Sequence, residues 1–479
     1  MPCWYSPQGK TQCHGDNMTY TSELASFTST LSIESIPEDV RRMARVCLLD
    51  TIGVILAGHE CLERDADTSL PRYLDALAVG DDATAFGYHR RAGVSDAAFI
   101  NGCLTEVLDW QDSTLPACLH SCSGTIPAVL AVAEKHGFSG SQILTAITAG
   151  YEVGTRVGVA IQPSHWYGGF QATGTIGAIG AAAAVGSLLG FEADEMTRNL
   201  GVAGHIAPIS NGDGVFHGTS SKLLHGGMAA QTGIQSAVLT KSGFGAGPLE
   251  GLPPRHHGFM NISSDEMDEQ TLIRDLGSEW LTRLCSHKAY PVGLLNVGPV
   301  EVTLELVTEN NILPDQVEAV DVTSFSSVLH FTGRSYTNTE SGFSDCVLSL
   351  PYTVAAAIAD RTFGPLQLAS DRIKDPALHE LARKVRVHAD TEMDIVAPMD
   401  WPVIVDITMT NGRHFTRRRD KVVGCPNRPM TDQELANKFM GNAEVSIGPA
   451  NAERVLNACM DLDNLSDIAN VVGWLTPQG

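Results

Sequence analysis

Apolar residues recur at helical spacing through most of the first 280 residues. Ser32 and Pro37 precede an apolar-periodic stretch that predicts a helix over residues 40–58, ended by Gly58. The same periodicity predicts further helices at 97–108, 125–136, 142–161, 177–190, 192–207 and 223–240. Many of them carry Gly and Ala three or four residues apart, which lets helices approach closely. The pattern therefore predicts a close-packed helical core.

The pattern changes after Trp280. Period-two alternation predicts strands, and Asn411-Gly412 predicts a hairpin turn into residues 414–416. Helical spacing returns at 294–309 and 347–359, and a capping box from Thr431 to Glu434 begins a last helical segment. The predicted strands are 317–323, 384–388 and 403–409. The predicted fold class is mainly α, with a smaller α/β domain inserted late in the chain.

Length and charge limit the possible partners. A chain of 479 residues exceeds one ordinary core, so two domains are expected. A net charge of -23 disfavours nucleic acid and anionic membrane partners. It also repels acidic substrates, which local Lys, Arg and His groups must hold within a Debye length of about 8 Å.

The cysteines indicate a reducing compartment. There are eleven, they are scattered, and they include no C-x-x-C pair. Cys118 and Cys122 alone cannot hold an iron–sulfur cluster. Residues 1–21 lack the apolar segment of a signal peptide, and no apolar run reaches the roughly 20 residues of a membrane span. We expect a cytoplasmic location, with a mitochondrial one left open, and no metal or cofactor.

One stretch, from Glu106 to Gly124, concentrates polar groups between apolar helices. It contains three acids, Thr114 and His120, and Pro116 and Gly124 are expected to break the helical pattern around the histidine. Buried charges cost several kcal/mol unless they are paired. The stretch is therefore either a satisfied internal network, with acids capping two helix ends, or the floor of an active site.

Two later clusters each place a lysine near a histidine or tyrosine. One runs from Ser220 through Lys222 and His225 to Gly226, and the other from Ser286 through Lys288 to Pro291. Taken singly, each lysine is more typical of a solvated surface. Together with the acidic stretch, they favour a metal-free acid/base site for a small polyacid.

These motifs resemble the MmgE/PrpD family. The resemblance is carried by Leu108-Asp109 through Asp112-Ser-Thr114 to His120-Ser, by Lys222-x-x-His225-Gly226, and by Lys288-x-Tyr290-Pro291. It extends from about Leu24 to the C-terminus, including the Ala-rich run 177–190 and the segment 343–351. The family includes 2-methylcitrate dehydratase, cis-aconitate decarboxylase and iminodisuccinate epimerase.

The resemblance implies a domain division. It implies a large helical domain built from both chain ends, with a smaller α+β lid domain between them and a site between the two, and it implies a homodimer. The expected segments are a disordered leader at 1–20, the first helical part at 21–282, the lid at 283–428 and the second helical part at 429–479.

The resemblance also implies site residues. His120 and Lys222 would move protons, and Asp109 or Asp112 would orient or charge the histidine or a lysine. Residues expected to bind substrate are Thr114, Lys288, Gln171, His225 and Tyr290. Substitution of His120 or Lys222 by alanine is expected to abolish turnover with little change in melting temperature.

Two positions depart from the family pattern. Gln171 stands where decarboxylase-like members carry a histidine, and glutamine cannot exchange a proton at neutral pH. His165 lies six residues upstream and is the candidate to replace it. The run from Lys288 to Pro291 also differs from the form typical of 2-methylcitrate dehydratases, and a lid tyrosine of some members has only Tyr336 and His330 as candidates.

The predicted function is a cofactor-free lyase acting on a small di- or tricarboxylate. Cis-aconitate-type decarboxylation is favoured over citrate-type dehydration. An epimerase of the iminodisuccinate type and a catalytically inactive family member remain as alternatives.

Overall fold

The computed structural model of the protein describes residues 18–77, 80–88, 90–212, 220–336 and 342–475. The described residues before 270 form helices and their connections, apart from a short hairpin of β1 (Ala83–Ala85) and β2 (Arg90–Ala92). Its helices are α1 (Tyr20–Ser29), α2 (Glu38–Arg64), α3 (Ser69–Leu77), α4 (Val94–Glu106), α5 (Ser121–His136), α6 (Gly140–Ile161), α7 (Ser164–Tyr167), α8 (Ala172–Leu188), α9 (Ala193–Ile206), α10 (Leu224–Lys241) and α11 (Phe259–Ser263).

A four-stranded sheet lies in the later part of the chain. Its order is β4-β3-β5-β6, with β3 and β4 parallel and the other pairs antiparallel. The strands are β3 (Val317–Ser324), β4 (Val385–Ala389), β5 (Val403–Met409) and β6 (His414–Arg419). The accompanying helices are α12 (Val297–Glu309), α13 (Ser327–Phe331), α14 (Phe343–Leu348), α15 (Leu350–Asp360), α16 (Ser370–Ile373), α17 (Pro376–Ala382) and α18 (Ala397–Asp400).

Three helices close the chain: α19 (Asp432–Ile447), α20 (Pro449–Met460) and α21 (Ala469–Trp474). The α19 helix packs against α2, and a buried ion pair of 2.7 Å joins Lys438 to Asp50 across that contact. The mainly helical class with a small α/β part agrees with the sequence prediction. The predicted segment boundaries stay predictions, and residues 1–17 of the predicted leader lie outside the described residues.

The Ala-rich helix α8 lies at the centre of the helical part. It contacts α5, α6, α9 and α10, and almost all of its residues are buried. A helix that is apolar on every side is stable only when it is surrounded. Small side chains let the surrounding helices come close, as where Gly150 and Gly180 meet.

Gly58 and Gly124, which the sequence predicts to end or break helices, both lie inside helices. Gly58 lies inside α2, which continues to Arg64, and a Cβ there would lie 2.3 Å from the carbonyl oxygen of Leu104. Gly124 lies inside α5, and its Cβ would come within 2.9 Å of the Ala229 side chain. Both glycines serve close helix packing, which local sequence cannot distinguish from helix termination.

Other local signals predict the structure correctly. Gly137 ends α5 in the left-handed conformation, and Thr431 caps α19 with Glu434 completing the capping box. Gly412 has a φ of +80° in the turn that joins β5 to β6. Among the described helices, none combines the length and apolar character needed to cross a membrane.

Candidate functional site

The loop between α4 and α5 forms one wall of the site. Asp109 and Cys118 each have a φ of +49°, so the backbone is left-handed at two points of this loop. The amide of Thr114 donates to the carbonyl of Leu119 at 2.8 Å and closes the loop on itself. Left-handed backbone is uncommon for residues other than glycine. Here it aims the Asp109 side chain into the interior.

Asp109 bridges the two lysines that the sequence singles out. Its Oδ1 lies 2.8 Å from Lys222 Nζ, and its Oδ2 lies 3.0 Å from Lys288 Nζ. Lys288 also donates to the Asp109 backbone carbonyl. The exposed fraction of all three residues is 3% or less. Taken singly, each lysine would be expected at a solvated surface. In the structure both lysines are buried, and the ammonium group of each pairs with a buried carboxylate.

Glu106, at the end of α4, is a second partner of Lys222. Its Oε2 lies 2.9 Å from Lys222 Nζ, and the lysine also donates to the Glu106 carbonyl at 3.3 Å. Glycines bring these elements together: a Cβ on Gly226 of α10 would lie 2.4 Å from the carbonyl oxygen of Gly102 in α4. The close approach of α4 and α10 places Lys222, just before α10, against Glu106.

Lys288 is positioned by its neighbours in sequence and by Trp110. Ser113 and Ser286 exchange two backbone hydrogen bonds of 2.9 Å, which fixes the segment before Lys288 to the loop. Trp110 Nε1 donates to the Lys288 carbonyl at 2.9 Å. The carbonyl of Trp110 in turn accepts from Lys438 of α19 at 2.9 Å. The C-terminal helices thus help to hold a lysine of the site.

His120 stands at the edge of this group. Its Nδ1 lies 2.8 Å from the carbonyl oxygen of Asp112, and its Nε2 lies 3.8 Å from Asp109 Oδ1. A carbonyl only accepts hydrogen bonds, so Nδ1 carries the proton and Nε2 is the reactive nitrogen. The His120 side chain is 15% exposed, against 4% or less for Glu106, Asp109, Lys222 and Lys288. It is therefore the member that a ligand meets first.

The two lysines differ in their electrostatic surroundings. Burial lowers the pKa of both. The carboxylates of Asp109 and Glu106 more than offset this at Lys222 and raise its pKa above the usual value. Lys288 has one carboxylate partner and the charge of Lys222 nearby, and its pKa is lowered. Lys222 is thus a fixed cation, whereas Lys288 is the lysine that gives up a proton more readily.

The pKa values of Asp109 and His120 are both lowered, which keeps the carboxylate charged and the imidazole neutral. Burial raises the pKa of Asp109, but Lys222 and Lys288 outweigh it and hold the pKa well below the usual range. Burial and the charge of Lys288 lower the pKa of His120, so the imidazole is neutral at pH 7. Two ammonium groups and the carboxylates of Asp109 and Glu106 then leave these side chains with no net charge.

Other predicted residues lie beside the site or away from it. Asp112 contributes its carbonyl to His120, while its carboxylate accepts from Tyr151. Thr114 is buried in the loop. His225 follows Lys222 by one helical turn, and burial lowers its pKa to about 4. Of the two candidate acids, Asp109 is the one whose carboxylate contacts the lysines.

Gln171 caps a helix in this structure. Its Oε1 accepts from the amide of Gly174 at 3.2 Å at the start of α8. His165 is fully buried, with Nδ1 bonded to the Ser263 carbonyl and Nε2 to the Thr175 hydroxyl, each at 2.8 Å. Both ring nitrogens of His165 are therefore engaged, and the geometry does not support it as a replacement for the family histidine.

The remaining aromatic candidates are placed elsewhere. Tyr290 has its pKa raised to about 12 by burial and by the acids Glu301 and Glu305. Tyr336 contacts His379 Nδ1 at 2.6 Å, and His330 is exposed in α13. Neither the acids near Tyr290 nor the His379 partner of Tyr336 belongs to the Asp109 group.

Sequence reasoning misses three residues that support the site: Glu106, Trp110 and Lys438. Glu106 is the first residue of the polar stretch from Glu106 to Gly124, but its spacing does not show that it faces Lys222. Lys438 lies in an amphipathic helix where a lysine predicts a solvated surface. Its contact with Trp110 joins residues 328 positions apart in the chain. Only the packing of the two chain ends reveals it.

Known protein families and characterised relatives match most of this chain. The model of the MmgE/PrpD N-terminal domain matches residues 22–271, and that of the MmgE/PrpD C-terminal domain matches residues 290–462. A cis-aconitate decarboxylase of Aspergillus terreus is 26% identical over 485 residues, covering 95% of each chain. The cis-aconitate decarboxylase of Mus musculus is 24% identical over 480 residues, covering 93% of this chain and 91% of the relative.

Proposed function

Because the chain belongs to the MmgE/PrpD family, we propose that it is a lyase that acts on a small di- or tricarboxylate by acid/base chemistry at carbon. Cis-aconitate-type decarboxylation is the favoured reaction. The observation that carries the proposal is the buried bridge from Lys222 through Asp109 to Lys288, with His120 at its accessible edge. Relatives named cis-aconitate decarboxylase, similar over nearly the whole chain, support the choice of reaction.

The pairing of the two lysines with buried carboxylates indicates which lysine binds the substrate. The two lysines are already neutralised by Glu106 and Asp109. A substrate carboxylate must therefore compete with Asp109 for one ammonium group. Lys288 is the better site, because it has one carboxylate partner where Lys222 has two. We assign Lys288 to the substrate carboxylate and Lys222 to holding Asp109 and Glu106 in place.

Proton transfer is assigned to His120. Loss of carbon dioxide from a β,γ- or α,β-unsaturated carboxylate leaves an electron pair on the carbon skeleton, which must take up one proton. His120 is neutral in the free protein and takes up a proton from solvent on Nε2 when substrate binds, because Asp109 at 3.8 Å stabilises the imidazolium form. An anionic substrate next to the ring favours the same charged form. His120 then donates its proton to carbon and regains one from solvent through its accessible edge.

Proton NMR in heavy water distinguishes the candidate reactions. The purified protein is incubated separately with cis-aconitate, 2-methylcitrate, citrate and iminodisuccinate, with His120→Ala protein as the matched control. Decarboxylation gives a new methylene pair, dehydration gives a vinylic proton, and epimerisation gives deuterium exchange on an unchanged skeleton. We expect the methylene pair from cis-aconitate. A dehydration or exchange signal instead would assign the corresponding alternative reaction, and silence from folded protein would favour an inactive family member.

A further inference from the structure

A second group of reactive side chains involves the same loop and the same segment before Lys288 as the site. Cys47 comes from α2, Asp112 from the loop, and Cys285 and His287 from the segment that leads to Lys288. Their exposed fractions are 0%, 1%, 3% and 6%. One nitrogen, oxygen or sulfur atom from each lies within 4.8 Å of the others. Thiols, imidazole and carboxylate are the groups that bind zinc in proteins.

The spacing of these atoms matches tetrahedral coordination. Two sulfur ligands at about 2.3 Å from a zinc ion lie about 3.8 Å apart at the tetrahedral angle, and a sulfur and a nitrogen lie about 3.6 Å apart. Cys47 Sγ is 3.7 Å from Cys285 Sγ and 3.6 Å from His287 Nε2. The other ligating atoms lie within 4.8 Å of one another, against about 3.3–3.8 Å in a tetrahedral site, so the four groups would have to draw closer around the ion.

Charge and hydrogen bonding favour a cation at this point. The Asp112 carboxylate accepts from the Tyr151 hydroxyl and from the Cys122 amide at 3.4 Å, both neutral donors. A buried carboxylate whose hydrogen-bond donors are neutral costs several kcal/mol unless a positive charge lies close by, and a bound cation would supply that charge. A hydroxyl donating to a ligating carboxylate is a common supporting contact in metal sites, because it fixes the orientation of the ligand. Tyr151, fully buried in α6, occupies that position.

We propose that Cys47, Asp112, Cys285 and His287 bind one structural zinc ion. Two thiolates with an imidazole and a carboxylate form a closed set of four ligands, which is typical of structural zinc rather than of magnesium or calcium. Binding releases the two thiol protons to solvent as the zinc–sulfur bonds form. This proposal replaces the sequence-based expectation of a protein without metal. The reaction proposed above uses no metal.

The ion would position the site rather than take part in chemistry. His287 immediately precedes Lys288, and the Asp112 carbonyl holds His120 Nδ1 at 2.8 Å. The paired backbones of Ser113 and Ser286 lie between these ligands. One ion would therefore fix α2, the loop and the Lys288 segment together. Its loss is expected to lower both the melting temperature and kcat.

Metal analysis of the wild-type protein is the first test. The chain is produced in zinc-supplemented medium, purified without metal-affinity resin and rinsed with a weak chelator. We expect about one zinc ion per chain by mass spectrometry, and X-ray absorption at the zinc edge showing about two sulfur and two nitrogen or oxygen neighbours. Zinc below about one tenth per folded chain, or an absorption spectrum without sulfur neighbours, overturns the proposal.

Variants locate the ion. Cys47→Ser and Cys285→Ser are each expected to lower the zinc content to below about one tenth per chain. Cys459→Ser is the matched control, since that thiol is also fully buried but lies in α20, outside the group. Retention of zinc by both variants would contradict the assignment of ligands.

Cobalt substitution keeps the proposal testable if these variants fail to fold. Wild-type protein stripped of zinc and reloaded with cobalt should show visible bands typical of tetrahedral cobalt and near-ultraviolet charge transfer from thiolate. Reloaded protein without the thiolate band, or a Cys47–Cys285 disulfide in freshly purified zinc-free protein, would instead identify the group as a thiol pair without metal.

Discussion

At the scale of single residues, the charges of the site are buried in compensating pairs. Lys222 lies between Glu106 and Asp109, whereas His120 lies at the edge with Nε2 3.8 Å from Asp109 Oδ1. A buried ion that loses its partner is far more costly than an exposed group that is truncated. Residues with equal importance for activity are therefore expected to differ in their importance for stability.

His120→Ala should remove activity and leave the fold intact. The side chain is partly exposed, and its ring makes one hydrogen bond at 2.8 Å. Loss of a proton-transfer group typically lowers kcat by about 10²–10⁴-fold. Steady-state kinetics and thermal unfolding provide the measurement. His414→Ala, at an exposed position in β6, is the control for a histidine outside the site. Activity within about tenfold of wild type in the His120 variant would contradict its role in proton transfer.

Lys222→Met should lower stability as well as activity, which changes the sequence-based expectation of little effect on melting temperature. Glu106 and Asp109 would keep their buried charges with one cation fewer, at a cost of about 3–5 kcal/mol. Adding Glu106→Gln restores charge balance, so the double variant should be more stable than Lys222→Met alone.

Denaturant unfolding of the four proteins of this cycle gives the coupling between Glu106 and Lys222. Lys241→Met is the control, because Lys241 pairs with Glu195 at the surface at 2.9 Å and should change stability by about 0–1 kcal/mol. Equal losses of unfolding free energy from Lys222→Met and Lys241→Met would contradict a stabilising role for the buried Lys222 ion pairs.

At the scale of elements, the contact between α4 and α10 sets the position of Lys222. Gly226→Ala would place a methyl group 2.4 Å from the Gly102 carbonyl oxygen and force the helices apart. Overpacking of this kind costs about 1–3 kcal/mol. We expect a lower melting temperature and a lower kcat, because Lys222 moves away from Glu106.

Gly441→Ala in α19 is the matched control for that substitution. No atom lies within 4 Å of the added Cβ, and the position is exposed. Alanine is favoured over glycine in a helix by about 0.5–1 kcal/mol, so this variant should be slightly stabilised with unchanged kcat. A destabilisation as large as that of Gly226→Ala would mean that helix contact is not the cause.

At the scale of the whole molecule, the expected homodimer has a candidate surface. Several large apolar side chains between residues 167 and 262 are more than half exposed, and two of them, Leu252 and Ile262, line one cavity of about 330 Å³. Exposed apolar side chains that line one groove, as Leu252 and Ile262 do, are typical of protein interfaces. We propose that this surface joins two copies of the chain.

Light scattering with size exclusion tests the dimer. The wild type should have twice the mass of one chain, and Leu252→Lys with Ile262→Lys should give a monomer. Val445→Lys is the control, because Val445 is 74% exposed but lies on α19. A monomeric wild type at micromolar concentration would contradict the dimer, and a dimer that survives the double substitution would place the interface elsewhere.

The sequence by itself determined the features that depend on neighbours along the chain. Periodicity placed the long helices and the strands, and Gly137, Gly412 and the Thr431 capping box marked ends and turns. These signals succeed because a helix cap or a hairpin turn is decided by a few adjacent residues. The motifs around Asp109, Lys222 and Lys288 also indicated the family, and the domain models confirm it.

Only the tertiary structure decided which groups compensate each other. Lys288 meets Asp109 across 179 positions, and Lys222 meets Glu106 across 116. Cys47 contacts His287 across 240 positions, so no short sequence motif indicates the group formed by the two cysteines, Asp112 and His287. Spacing along the chain fixes the face of a helix on which a side chain lies. The partner on the opposite face depends on how whole elements pack, and burial then sets the pKa and the cost of every charge between them.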